Sequence, residues 1–135
     1  MNEKHLIFII GLPASGKTTL AKNKYHNYKL FDDVSISYPN PSSLVFDVRD
    51  EEKSVIIDPY CSLKEIQDIV RIIFKKFSIS FIYFENNPAQ CLINAKTRPE
   101  KKVEDLIRYL TTKYYIPDGE KTVAVYDPNQ PLPLP

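Results

Sequence analysis

Short, nearly continuous apolar runs recur along the chain, and longer stretches with a helical apolar period separate them. The clearest runs are residues 6–10, 55–57 and 79–84. Runs of this kind, without alternation of apolar and polar positions, are typical of strands buried on both faces of a parallel sheet. Residues 28–31 and 122–126 are weaker candidates for two further strands.

The stretches between the runs carry signals for helix ends. Ser62 and Glu65 have the spacing of a capping box, which predicts a helix whose apolar face extends to Phe77. Asn87, followed directly by a proline, predicts the start of a second helix that ends near Lys96.

Two more helices complete the pattern, one over residues 103–114 and a short one over residues 42–48. Strands that alternate with helices predict right-handed βαβ units. The expected fold class is therefore α/β: a three-layer sandwich in which helices flank a parallel sheet of about five strands. We expect one domain over residues 1–127 and a proline-rich tail over 128–135.

Composition narrows the choice of protein class. The chain has 135 residues and a formal net charge of +1, so no overall basic field points to a nucleic acid or a membrane. No apolar run approaches the length of a membrane span, and we expect a soluble, cytoplasmic protein. The chain has two cysteines, Cys61 and Cys91, and two histidines. So few residues of these types predict buried, reduced thiols rather than disulfides or a zinc site.

One motif carries specific chemistry. Residues 11–18 read Gly-Leu-Pro-Ala-Ser-Gly-Lys-Thr, which fits G-x-x-x-x-G-K-[ST], and they lie between the best strand and a helical segment. Backbone N–H groups of such a loop converge on a polyanion at the start of the helix. Lys17 adds charge for the β- and γ-phosphates, and the Thr18 hydroxyl suits Mg²⁺. The residues expected to bind the nucleotide are Gly11, Pro13, Ala14, Ser15, Gly16, Lys17, Thr18 and Thr19.

Aspartates follow two of the predicted strands. Asp58 ends the run 55–57, where a carboxylate can bind Mg²⁺ directly or through water. Asp32 and Asp33 end the run 28–31, and one of them could accept a proton from a substrate hydroxyl while the other caps a helix. Ligands bind beyond the carboxyl ends of parallel strands. All three aspartates are therefore expected to face residues 11–18, the phosphate loop. Each could equally be a turn or cap residue.

Arg98 is the remaining candidate for catalysis. It lies in residues 96–102, a polar break between two amphipathic helices, where a closing lid is expected. An arginine there can offset charge on a phosphoryl group in transfer. A solvated linker is the other interpretation.

Other triphosphate-binding classes fit less well. A guanine-binding Asn-Lys-x-Asp motif is absent, since Asn94-Ala95-Lys96-Thr97 fails at its fourth position. Asp58 is not followed by the glycine of a GTPase switch, and the chain is short for a motor ATPase with a helical accessory domain. Among these classes of triphosphate-binding protein, the sequence therefore predicts a small kinase.

Residues 11–19, 32–33, 55–58 and 95–103 together resemble, by order and spacing, the polynucleotide-kinase-like P-loop kinases, above all the kinase half of the phage type. The resemblance implies transfer of the ATP γ-phosphate to the 5′-hydroxyl of a polynucleotide. It also implies that Lys17 and Thr18 bind phosphate and Mg²⁺, that Asp32 is the general base, and that Arg98 is the lid arginine. The family has Arg where this chain has Ser35, and a second basic lid residue where it has Asn94.

Two alternatives stay open. A nucleotide or small-metabolite kinase agrees better with the near-neutral charge, because a nucleic-acid groove normally shows a basic stripe. A nucleotide-gated binding module without turnover would instead display the proline-rich tail, in which residues 128–131 fit P-x-x-P.

Overall fold

A computed structural model of the chain describes residues 4–34, 41–97 and 101–130. The strands are β1 (His5–Ile10), β2 (Lys29–Asp32), β3 (Lys53–Ile57), β4 (Ser78–Phe84) and β5 (Thr122–Val123). The helices are α1 (Lys17–Lys24), α2 (Pro41–Arg49), α3 (Lys64–Ile73), α4 (Pro88–Ala95) and α5 (Lys101–Thr111), and a 3₁₀ helix spans Pro59–Ser62.

The strands form one parallel sheet in the order β2-β3-β1-β4-β5. This confirms the predicted α/β class with five parallel strands. Strand β1 is central, between β3 and β4, so the loop that follows it leaves the middle of the carboxyl edge of the sheet. That edge is where open parallel sheets bind ligands.

The side chains of β1 alternate between two apolar layers. Leu6 and Phe8 pack on the face that Phe74, directly after α3, helps to cover. Ile7 and Ile9 pack on the opposite face with Ala21 of α1. A third cluster lies between α4 and α5 and includes Cys91 and Ile107. Because both faces are covered, the apolar runs in the sequence show no alternation.

Two helix starts were predicted from capping signals, and one prediction is wrong. Ser62 does not cap α3, since its hydroxyl donates to the Pro59 carbonyl at 2.7 Å and to the Gly11 carbonyl at 3.3 Å. Residues 59–62 form a 3₁₀ helix first, so the N-cap of α3 is Leu63, one residue later than the motif suggests, and the helix ends before Phe77. The prediction for Asn87 is confirmed, because its side-chain oxygen accepts from Gln90 N at 3.1 Å.

The fifth strand is shorter than the predicted run 122–126. After Val123 the backbone turns from β4 towards other partners: Val125 N donates to Glu85 Oε1 at 3.2 Å, and Tyr126 N donates to Ser15 O at 2.8 Å. Residues 124–126 therefore lie against the loop after β1. The described part of the chain ends at residue 130, so the tail boundary at 127 stays a prediction.

A buried glutamine ties α3 to the sheet. Gln67 is fully buried, and its Nε2 donates to the carbonyls of Cys61 and Tyr115, both at 3.0 Å. Its Oε1 accepts from the Tyr83 hydroxyl at 2.9 Å. One side chain therefore satisfies polar groups from β4, the 3₁₀ helix and the segment after α5.

Replacing Gln67 with leucine is expected to lower the free energy of unfolding by about 2–4 kcal/mol, because the volume is kept while buried polar groups lose their partner. Urea unfolding followed by circular dichroism measures the change. Glu65→Ala, on the exposed side of the same helix, is the matched control and should stay within about 0.5 kcal/mol of the wild type. Equal stability of all three proteins would show that the Gln67 network contributes nothing.

Candidate nucleotide-binding site

The loop after β1 has the geometry expected of an anion-binding turn. Its N–H groups lead into α1, whose N-cap is Gly16 with φ +106° and no side-chain cap. Ala14 also lies in the left-handed region, at φ +66°. Alternation of left- and right-handed residues turns successive N–H groups towards one side, where they can bind phosphate oxygens.

Both fixed glycines of the motif are needed for steric reasons. A Cβ on Gly16 would lie 2.6 Å from Cβ of Tyr126, and its positive φ disfavours any L residue. A Cβ on Gly11 would lie 2.6 Å from Ser15 Oγ and 3.1 Å from Cβ of Phe84. The loop therefore packs directly on β4 and on the segment that follows β5.

Lys17 is buried, and the loop itself binds its ammonium group. Nζ donates to the carbonyls of Gly11 at 2.9 Å and Leu12 at 2.7 Å. Only 7% of the residue is exposed. A buried charge needs such partners, and a phosphate group entering the loop would offer it stronger ones.

A cleft of about 350 Å³ opens in front of the loop. Its walls come from the loop, the start of α1, the turn after β2 and the end of β3. The lining residues are Pro13, Ala14, Ser15, Gly16, Lys17, Thr18, Thr19, Asp32, Asp33, Ile57 and Pro59.

Asp32 lies close to the predicted metal ligand. The Thr18 hydroxyl donates to its Oδ2 at 3.0 Å, and the Asp33 N–H donates to its Oδ1 at 2.9 Å. Asp33 adopts φ +50°, in the left-handed region. The turn after β2 thus directs one carboxylate oxygen to Thr18.

Asp58 follows β3 directly and is 2% exposed. Its Oδ1 accepts from Tyr60 N at 2.9 Å and caps the 3₁₀ helix. Asp58 therefore has the helix-starting role that was its alternative interpretation. Capping uses one carboxylate oxygen, so it does not exclude a second role in binding a metal through water.

The oxygen donors at the loop suit Mg²⁺. Thr18 and Asp32 offer a hydroxyl and a carboxylate, the hard ligands that this ion prefers. Among the residues that the structure describes, no three His, Cys, Asp or Glu side chains come together as a metal cage. A triphosphate site does not need one, since phosphate oxygens and water supply the other ligands. The residues present therefore fit a magnesium–triphosphate complex.

Thiol chemistry does not fit this site. Burial raises the pKa of Cys61 to about 12, and the nearby Asp58 carboxylate adds to the shift. Burial likewise raises the pKa of Cys91 to about 11. Both cysteines are free and buried, as predicted, and both are protonated at neutral pH.

The structure brings most of the predicted site residues together. Residues 13–19 and Asp32 line one cleft, and Gly11 packs at the base of the loop. Asp58 lies at the neighbouring strand end. Arg98 lies outside the described residues, so its place relative to the loop stays a prediction.

Sequence reasoning missed two residues that hold the loop. Asn94 of α4 donates to the carbonyls of Ala14 and Tyr126, and the Tyr114 hydroxyl donates to the carbonyls of Ile10 and Phe84. A signal existed for Asn94, because Gln90 and Asn94 form a polar i,i+4 pair on an otherwise apolar helix. Tyr114 was assigned to the apolar face of a helix.

The fold and the loop geometry define a class, the α/β three-layer sandwich with a P-loop-type turn after its central strand. A gluconokinase from Sinorhizobium meliloti 1021 shares this fold with a TM-score of 0.64 at 16% sequence identity, over 97% of this chain and 86% of the gluconokinase. The chain is 30% identical over 134 residues to uncharacterized protein R277 of Acanthamoeba polyphaga mimivirus, which covers 93% of this chain and 94% of the viral protein. It belongs to the same protein family as R277. No family model matches the sequence.

Within the described residues, no helix is both long and apolar enough to cross a membrane.

Proposed function

We propose that the protein is an ATP- and Mg²⁺-dependent phosphotransferase that moves the γ-phosphate to an acceptor hydroxyl. The observation that carries the proposal is the arrangement of Lys17, Thr18 and Asp32 around one cleft at the centre of the carboxyl edge of the sheet. Phosphoryl transfer needs positioning and charge stabilisation more than covalent chemistry, and these residue types supply both.

Each residue has a proposed role. The loop N–H groups and Lys17 bind the β- and γ-phosphates, so Lys17 exchanges the carbonyls of Gly11 and Leu12 for phosphate oxygens. Thr18 would hold Mg²⁺, and Asp32 and Asp58, which end neighbouring strands, would bind its water ligands; the ion would neutralise charge on the phosphates. Asp32 accepts the proton of the acceptor hydroxyl.

The acceptor has two candidates. The resemblance to polynucleotide kinases favours a polynucleotide 5′-hydroxyl. The cleft itself favours a small hydroxyl compound, because its lining contains two carboxylates, Asp32 and Asp33, and Lys17 is the single basic residue among the described residues that line it. A polyanionic strand normally requires several basic contacts. The fold shared with a gluconokinase is compatible with this second candidate.

A labelling experiment separates the candidates. The protein is incubated with γ-labelled ATP and Mg²⁺, with 5′-hydroxyl oligonucleotides, nucleosides, nucleotides, neutral sugars and polyols, or no acceptor. Label on an oligonucleotide supports the first candidate, and label on a small compound supports the second. Lys17→Met, prepared in the same way, is the matched blank. The transfer measured with this variant is the contaminating kinase activity, which is subtracted. Tight ATP binding without transfer to any acceptor would contradict a phosphotransferase and support a binding module.

Arg98 is proposed to offset phosphoryl charge from the segment between α4 and α5. Arg98→Ala is expected to lower kcat at least about tenfold with a smaller change in ATP affinity, because lid contacts are made mainly in the closed transition-state complex. Lys102→Ala, which removes an exposed cation in the first turn of α5, is the control. A loss of ATP affinity as large as the loss of kcat would make Arg98 a ground-state contact instead.

A further inference from the structure

The Asn94 side chain joins three segments of the chain near the end of α4. Its Nδ2 donates to Ala14 O at 2.9 Å and to Tyr126 O at 2.6 Å. Its Oδ1 accepts from Gln90 Nε2 at 2.9 Å, one helical turn earlier. Both N–H groups of the amide are therefore used, and Gln90 fixes which end of the amide faces the loop.

The Ala14 carbonyl belongs to the peptide unit that joins Ala14 to Ser15 within the loop. Ala14 has φ +66°, a conformation that residues other than glycine adopt rarely. On the other side of the same peptide unit, Ser15 N–H donates to Leu12 O at 3.2 Å. Asn94 thus completes the pair of bonds that fixes this peptide plane. Without it, this peptide plane keeps the Ser15 bond alone.

Tyr126 closes the arrangement. Its N–H donates to Ser15 O at 2.8 Å, and its carbonyl accepts from Asn94. Its Cβ lies where a side chain on Gly16 would be. The loop, α4 and the segment after β5 are therefore linked in a ring of hydrogen bonds, and Asn94 is the member that comes from the helix.

We propose that Asn94 is a positioning residue that holds the phosphate loop in its binding conformation. The inference rests on the proposed function. Asn94 lies one residue before the end of α4 at Ala95, so the helix anchors the amide that bonds to the Ala14 carbonyl.

The test compares Asn94→Asp and Asn94→Ala with the wild type. Aspartate keeps the size but replaces the NH2 group, which carries both donors, by an oxygen that repels the carbonyls of Ala14 and Tyr126. We expect Asn94→Asp to bind ATP and inorganic tripolyphosphate at least tenfold more weakly by calorimetry. Both ligands should lose the same factor, because the defect lies in the loop and not at the base. Asn94→Ala should show a smaller loss.

The pH dependence of ATP affinity is a readout that a purely structural role of Asn94 would not change. Protonation of the aspartate in Asn94→Asp restores one donor, and burial beside carbonyls raises the pKa of such a carboxyl. Lowering the pH from 8 to 6 should therefore recover part of its ATP affinity relative to the wild type at each pH. Asn94→Ala, which has no group to protonate, should show no recovery.

Thr97→Val is the matched control. The Thr97 hydroxyl donates to the backbone carbonyl of Asn94, so its loss disturbs the same end of α4 without touching the loop. We expect wild-type ATP affinity for this variant. An equal loss in Thr97→Val and Asn94→Ala would overturn the proposal, as would wild-type affinity for both ligands in the two Asn94 variants.

Failure of the proposed function gives a different result. If the wild-type protein binds neither ATP nor tripolyphosphate, both the function and the role of Asn94 are wrong. If the wild type binds and the Asn94 variants bind equally well, only the role of Asn94 is wrong. Thermal unfolding without ligand checks that each variant is folded, and Asn94→Ala gives the comparison if the introduced charge in Asn94→Asp prevents folding.

Discussion

Lys17→Met is expected to reduce ATP affinity by about one to two orders of magnitude and to lower phosphoryl transfer by at least about 10²-fold. The ammonium is the one basic group among the described residues of the cleft, and a charge-assisted bond to phosphate contributes about 1.5–3 kcal/mol. Methionine keeps the buried stem of a residue that is 7% exposed. Calorimetry with ATP and a labelled-transfer assay measure the two effects.

The control for Lys17→Met is Lys22→Met, an exposed lysine of α1 that points away from the cleft lining. It should bind ATP like the wild type. Unchanged ATP affinity and turnover in Lys17→Met would show that the loop after β1 is not a phosphate site. A drop in melting temperature as large as that of a core substitution would assign Lys17 a structural role through Gly11 and Leu12.

Asp32→Asn is expected to lower kcat by about 10²–10⁴-fold while ATP affinity changes little, because the amide keeps the size and polarity of the side chain but accepts no proton. The amide also changes the partner of the Thr18 hydroxyl, which lies 3.0 Å from the carboxylate. The Mg²⁺ concentration that gives half-maximal rate therefore distinguishes two roles. An unchanged Mg²⁺ requirement indicates that Asp32 accepts the proton. A strongly raised Mg²⁺ requirement indicates that Asp32 helps to bind the metal ion.

Asp33→Asn is the matched control for Asp32→Asn, since the two residues share one turn and line one cleft. We expect the Asp33 variant to retain most activity. A larger loss in Asp33→Asn than in Asp32→Asn would transfer the proton-accepting role to the neighbouring residue. Full activity in both variants would exclude the turn after β2 from the chemistry.

The sheet and the turn geometry of the loop after β1 were predictable because local pattern determines both. Buried strands of a parallel sheet read as apolar runs, and the loop motif requires glycines where backbones approach within van der Waals contact, as Gly16 does at Tyr126. The start of α4 was predictable for a similar reason, since a side chain caps a backbone group three residues away. Each of these signals lies within a few residues of its effect.

The features that escaped prediction depend on contacts between distant residues. Ser62 has the sequence of a helix cap, yet its hydroxyl donates to Pro59 O within the 3₁₀ helix and, over a longer distance, to Gly11 O, 51 residues earlier. Asn94 bonds to Ala14, 80 residues away, and Tyr114 bonds to Ile10, 104 residues away. No local pattern records such partners. The capping motif at Ser62 is a clear local signal. The 3₁₀ helix that Asp58 caps already includes Ser62, so Ser62 cannot start the following α-helix.

Strand β5 contains two residues, and the backbone after it supports one side of the phosphate loop. Short edge strands open at little free-energy cost compared with the centre of a sheet. The segment around Tyr126 is therefore expected to exchange between closed and open forms faster than β1 does. Phosphate binding would then select the closed form, and part of the apparent affinity would be set by a local folding equilibrium. Substitutions on this edge of the sheet, without contact to nucleotide, would then change the affinity by changing the fraction of molecules in the closed form.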